Sequence, residues 1–135
     1  MALFSWNSSY SVGVAAIDRQ HAGLFAIIND LYDSMMARQA QSVTAPLLKK
    51  LLKYTEEHFL YEERAMESTK YPGLAAHRVL HNNLTNQVKD FISRFERGEA
   101  ALNIELLSFL RDWLAKHIQH EDKGYGPWMN EHDVR

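Results

Sequence analysis

An all-α fold is what this sequence predicts: an antiparallel up-down-up-down four-helix bundle preceded by an N-terminal arm. Three observations carry that expectation. Four long stretches place apolar residues at alternating steps of three and four, the period of a helix with one buried stripe. The chain has only six glycines and three prolines, and the glycines other than Gly23 gather where those stretches end. No run shows the two-residue alternation of a half-buried strand. At 135 residues the chain is sized for one domain, with 1–17 an arm, 18–122 the bundle and 123–135 a C-terminal tail.

The arm carries Phe4, Trp6 and Tyr10, which are expected to pack along the bundle. The first helix spans 18–38, with Asp18 as N-cap and a stripe of His21, Leu24, Ile28, Leu31 and Met35. The second spans 45–68. Thr44 is its expected cap, and Pro46 sits in its first turn, where a missing N–H costs no helical bond. Its stripe is Leu48, Leu51, Thr55, His58 and Glu62. The third spans 73–97 with Gly98 as the residue that leaves the helix, and its stripe runs His77, His81, Leu84, Val88, Phe91, Phe95. The fourth starts near 103 and continues past 117, with Leu106, Leu110, Trp113 and His117 inward. Short connections between helices of this length favour antiparallel neighbours.

Composition removes several function classes. Fifteen Lys and Arg against seventeen Asp and Glu leave a net charge of -2. That balance offers no basic footprint for nucleic acid or an anionic membrane. No run reaches the roughly 18 consecutive apolar residues of a membrane span. The start, Met1-Ala2-Leu3-Phe4-Ser5-Trp6, lacks the basic head and apolar core of a secretory signal, so a cytoplasmic protein is expected. The absence of cysteine excludes disulfides, thiol catalysis, thiolate zinc and ordinary iron–sulfur clusters. A metal here would have to be held by nitrogen and oxygen.

Polar residues on the apolar stripes carry the chemistry. His21, His58, Glu62, His77, His81 and His117 all fall on inward faces. Each buried polar group left unpaired costs roughly 1–3 kcal/mol, and a lone carboxylate more. His58 and Glu62 are four apart, as are His77 and His81, so each pair shares one helix face. His21 and the pair His77/His81 lie near the starts of helices one and three. His58/Glu62 and His117 lie near the ends of helices two and four. In an up-down-up-down bundle all six meet at one end, and a metal site is the economical compensation. A further carboxylate could come from Glu121 or Asp122. A regular α-helix returns i+4 to the same side and rotates i+5 away by roughly 140°, which favours Glu121; a π-bulge before Gly124-Tyr125-Gly126-Pro127 would bring Asp122 inward instead.

The whole constellation resembles the ligand set of the hemerythrins. The matching elements are His21, His58-x3-Glu62, His77-x3-His81 and His117-x4-Asp122. The arm and first helix (Phe4-x-Trp6, Val12-Gly13-Val14, Ile17-Asp18-x-Gln20-His21) are similar to single-domain bacterial members, as are His58-Phe59-x2-Glu62-Glu63-x2-Met66 and Trp113-Leu114-x2-His117-Ile118. The resemblance covers about residues 3–128 and selects Asp122 over Glu121. It implies two iron ions per chain with an oxo or hydroxo bridge. His77, His81 and His117 would hold one iron, His21 and His58 the other, and Glu62 and Asp122 would bridge both. The first iron is then six-coordinate and the second five-coordinate, leaving an open position where a small ligand binds. The family's hydrophobic oxygen-pocket positions map onto Leu24, Phe59, Trp113, Leu114 and Ile118.

What the resemblance implies is reversible dioxygen binding for storage, transport or delivery, without enzymatic turnover. The competing reading is a diiron redox enzyme or sensor acting on nitric oxide, peroxide or oxygen. Five imidazoles to two carboxylates, with no Glu-x-x-His motif, separate the site from the carboxylate-rich ferritin-like type. Expected partners are dioxygen and an oxygen-consuming protein or reductase, with no nucleic acid, no membrane insertion and a monomeric state. His120, His132 and Glu121 are left outside the site. Tyr54, Tyr61 and Tyr125 are candidates to hydrogen-bond the ligands, and the residues alone do not choose among them.

Overall fold

The computed structural model describes residues 4–135; positions 1–3, part of the reading that the chain has no secretory signal, lie outside the described residues. Among the described residues there are helices and no strand. After a short turn at Ser8–Tyr10 come α1 (Ala15–Met36), α2 (Gln41–Ser68), α3 (Leu74–Glu96) and α4 (Ile104–Lys116). A π-helical turn, His117–Asp122, then leads into α5 (Lys123–Glu131). The first four helices form the antiparallel bundle, with α2 packed against α1 and α3, and α1 against α4. Most stripe positions are core: Ile28, Leu31, Leu48, Leu51 and Leu110 are buried. On α4 the buried face is turned by one residue, with Leu107 and Leu114 buried and the expected Leu106 and Trp113 only partly so, as Met35 is on α1. Among the described residues no helix is long and apolar enough to cross a membrane.

Helix boundaries depart from the sequence reading in informative ways. The first helix begins three residues early, so Asp18 lies in its first turn and does not cap it. Its carboxylate instead accepts from Ser11 Oγ (2.7 Å) and Val12 N (2.8 Å), tying the arm back to α1. The second helix begins at Gln41. Thr44 is therefore inside it, buried and hydrogen-bonded to Ser34 (2.8 Å) across the α1–α2 contact. Gly98 leaves α3 at φ +73° as expected, while Arg38 and Lys70 adopt the same left-handed conformation after α1 and α2 without being glycine. In each case a backbone bond back to the last turn closes the end, as with Tyr71 N to Met66 O at 2.8 Å.

The arm packs along the bundle as its aromatics suggest. Phe4 stacks on Phe25 with centroids 3.5 Å apart, and Tyr10 meets the same ring edge-on. Asn29 fixes the arm by bonding both the N–H and the carbonyl of Phe4. The segment read as a tail, 123–135, is helical over Lys123–Glu131 and buries Tyr125, Gly126 and Met129. It is docked by Trp128 Nε1 donating to Thr69 O (2.9 Å) and Asn130 Nδ2 donating to Gly13 O (3.0 Å). A Cβ at Gly126 would collide with the Val12 carbonyl, and a backbone oxygen cannot swing aside. Gly126→Ala is therefore expected to lower stability by about 1–3 kcal/mol, the usual cost of overpacking, although Ala is the better helix former. A chemical denaturation curve equal to or better than wild type would contradict this contact.

Candidate metal centre

At one end of the bundle the inward polar residues meet. The starts of α1 and α3 and the ends of α2 and α4 lie at the same level there because the helices alternate in direction. His21, His58, Glu62, His77, His81, His117 and Asp122 are all buried. Their donor atoms fall into two groups. Glu62, His77, His81, His117 and Asp122 form one, and His21, His58, Glu62 and Asp122 form the other, each with its atoms within 4.8 Å of one another. Both carboxylates belong to both groups. Glu62 Oε1 lies 2.7 Å from His58 Nε2 and 3.0 Å from His21 Nε2. Asp122 Oδ1 lies 2.7 Å from His77 Nε2 and 3.0 Å from His117 Nε2, and its Oδ2 lies 3.1 Å from His21 Nε2.

The π turn explains how Asp122 arrives. Its turn closes after five residues rather than four, so the residue five beyond His117 faces inward. Asp122 is buried whereas Glu121 and His120 are exposed. His132 is also exposed and donates to or accepts from nothing at the site; its Nδ1 lies 2.7 Å from Trp128 O.

The donor set fits metal cations on grounds internal to the structure. His58 Nδ1 is 2.6 Å from Gln20 Oε1, and His81 Nδ1 is 2.9 Å from Glu63 Oε2. Those oxygens can only accept, so each Nδ1 carries the hydrogen, and in the neutral ring Nε2 is a bare lone pair. The Nε2 of His58 then faces a carboxylate oxygen, and the Nε2 atoms of His81 and His117 face each other at 3.3 Å. Glu62 Oε2 and Asp122 Oδ2 also lack a well-directed hydrogen-bond partner. Cations satisfy all these atoms at once; otherwise protons must. Burial by itself pushes the His21 and His77 rings down. Hydrogen bonds to Asp122 and Glu62, with their charges, outweigh it and hold both imidazoles up at about 9. Glu62 shows the complement: burial raises it, and the charge of His58 with hydrogen bonds from His21, His58 and His77 takes it well below the carboxylate range.

The surroundings are aromatic. Phe59 stacks flat on His81 (3.7 Å, 1°) and Trp113 on His117 (4.5 Å, 14°). A cavity of about 20 Å³ lies in the bundle core, lined by Leu24, Phe59 and Leu114 together with Ile28, Leu51, Leu84 and others, with Thr55 its only polar residue and none of the seven donors in its wall. Trp113 and Ile118 do not line it; Trp113 borders an open cleft with His117, His120 and Glu121, and Ile118 is buried core. Of the three candidate tyrosines, Tyr125 reaches the site. It is fully buried and donates to Glu62 Oε1 at 3.1 Å. Burial, and the charges of Glu62 and Asp122, raise Tyr125 well above its ordinary value and keep it a donor. Tyr61 is exposed and Tyr54 packs against Gly23. Gln20 and Glu63, quoted in the sequence only as motif matches, are the outer partners of His58 and His81. A hydrogen-bonding residue directly beside a candidate ligand was the signal for both.

Comparison with known proteins agrees with this geometry. The family model for the hemerythrin HHE cation binding domain matches residues 12–129. Bacteriohemerythrin of Methylococcus capsulatus is 35% identical over 131 residues, covering 96% of this chain and 99% of the relative. Myohemerythrin of Theromyzon tessulatum is 30% identical, covering 90% of each chain. A crystal structure of wild-type hemerythrin superimposes with a TM-score of 0.89 at 35% identity, covering 95% of this chain and 98% of that one. With a matching domain model, relatives aligned over nearly their whole length and seven buried donors arranged as two groups around two shared carboxylates, the chain belongs to the hemerythrin family.

Proposed function

We propose that this chain binds dioxygen reversibly at a diiron centre and serves oxygen storage, transport or delivery, not catalysis. Residues 1–135 would act as one domain, monomeric and in the cytoplasm, with an oxygen-consuming protein or a reductase as protein partner. The observation that carries this reading is the inequality of the two donor groups. One has three imidazoles and the other two, with Glu62 and Asp122 common to both. His77, His81 and His117 would hold one iron, His21 and His58 the other, and the two carboxylates both. When bound, the irons supply the electrons that reversible dioxygen binding requires.

The chain's own residues do the rest. Leu24, Phe59 and Leu114 border a space with room for about one water-sized molecule, and its apolar walls disfavour water. Tyr125 orients Glu62 through its hydroxyl proton. Anaerobic reduction followed by air should give a visible charge-transfer band that disappears on deoxygenation, with two irons per chain. Irreversible bleaching or a colourless protein would overturn the proposal. Leu114→Ala opens the cavity wall to water and is expected to speed autoxidation about tenfold, since each 1.36 kcal/mol of lost protection is one decade in rate. An unchanged rate would remove Leu114 from that role.

A further inference from the structure

The two donor groups differ in a second way, in what stands behind their imidazoles. Among the described residues only two of the five rings have a side-chain partner at Nδ1. His58, in the two-imidazole group, donates to Gln20 Oε1 at 2.6 Å. His81, in the three-imidazole group, donates to Glu63 Oε2 at 2.9 Å. The first acceptor is a neutral amide and the second a carboxylate. Hydrogen bonds to an ionised acceptor are roughly twice as strong as neutral ones, and an outer carboxylate raises the basicity of the imidazole it holds.

Glu63 is well placed for this. It follows Glu62 directly, so one turn of α2 supplies both the shared carboxylate and the outer one. It is partly buried, and its second oxygen, Oε1, accepts from Arg78 Nε at 3.2 Å. Arg78 is itself exposed and also meets Glu67 at 3.4 Å. The cation thus occupies one carboxylate oxygen and leaves the other to His81. A solvent cleft lined by Glu56, Glu63, His81 and Lys89 reaches the pair from outside.

We infer that Glu63 is a positioning residue that makes the three-imidazole metal position the more electron-rich of the two, with Gln20 as its neutral counterpart on His58 and Arg78 moderating the charge from the surface. This rests on the placement of metals at the cluster but not on dioxygen as the ligand.

The test uses the full chain and cobalt(II) as probe, titrated by visible absorption, followed by the reduction midpoint of the iron-loaded protein. Glu63→Gln keeps shape and an acceptor while removing charge. It should weaken cobalt at the three-imidazole group about tenfold, the lower end of what an outer partner is worth, and raise the midpoint. Gln20→Glu should strengthen the other group and lower the midpoint. Shifts of opposite sign are something a packing role would not produce. Arg78 lies on the surface; freeing Glu63 of its cation in Arg78→Ala should lower the midpoint. Unchanged affinities and midpoints, shifts of the same sign in Glu63→Gln and Gln20→Glu, or a raised midpoint in Arg78→Ala would each overturn the inference. Cobalt affinities that shift as expected in a protein that fails to bind dioxygen would overturn only the oxygen-binding proposal.

Discussion

Metal-free protein is expected to melt roughly 20 °C or more below the loaded protein, and its stability should change with pH in the opposite direction. A ligand that binds only the folded chain, present at about a thousand times its Kd, adds about 4 kcal/mol per site. For a chain of this size each kcal/mol moves Tm by roughly 3–4 °C. The pH dependence follows from the site. In the metal-free protein His21 and His77 are held at about 9, above their ordinary 6.5. Folded values above unfolded ones mean that this stabilisation is fully present below about 6.5 and is lost as pH rises through about 9. Glu62 and Asp122 are lowered, so their contribution is present above the ordinary carboxylate range and lost as pH falls. Metal-free protein should therefore be most stable between about pH 4.5 and 6.5. In the loaded protein cations take the place of those protons, and the ligands must be deprotonated. Its stability should rise from pH 5 toward neutrality and stay high at pH 9. Thermal unfolding of both forms at pH 5, 7 and 9 checks this; parallel trends would mean that the cluster does not exchange protons for metal.

The second large effect is a contrast between neighbours. Asp122→Asn should lower metal content from two per chain to one or none, while Glu121→Gln should leave two. Asp122 touches both donor groups through His21, His77 and His117. Its loss should exceed the roughly 10–100-fold that an outer partner is worth. Glu121 is exposed on the outside of the π turn. Metal analysis after dialysis, with circular dichroism to show that both variants fold, reads the result. Retention of two metals by Asp122→Asn, or their loss from Glu121→Gln, would place the helix-four carboxylate wrongly.

That contrast also marks how far the residues could be read alone. The inward polar residues were legible, His21, His58, Glu62, His77, His81 and His117, because inward faces repeat at a period set by the backbone itself; on α4 the apolar part of the stripe was read one residue off, at Leu106 and Trp113 where Leu107 and Leu114 are buried. Their meeting at one end followed from alternating helix direction. Between Glu121 and Asp122 the periodicity favoured the wrong face, and only the family resemblance selected Asp122. The reason is now physical: local winding changes from α to π over His117–Asp122, and a constant-pitch reading cannot contain that change. The 123–135 segment was missed as a helix because Gly124, Gly126 and Pro127 are poor helix formers. Its fold depends on Gly126 meeting the Val12 backbone and on Tyr125 meeting Glu62, contacts across more than sixty residues.

The sequence by itself determined the four bundle helices, most of their buried faces and a cysteine-free donor set of imidazole and carboxylate, since all of these depend on residue type and on spacing within one helix. Periodicity alone could not tell which carboxylate of helix four turns inward, and only the tertiary structure decided which tyrosine reaches the site and that one donor group is backed by Gln20 and the other by Glu63. Those outcomes depend on distances between helices and on local departures from ideal winding, which no periodicity along a single helix records.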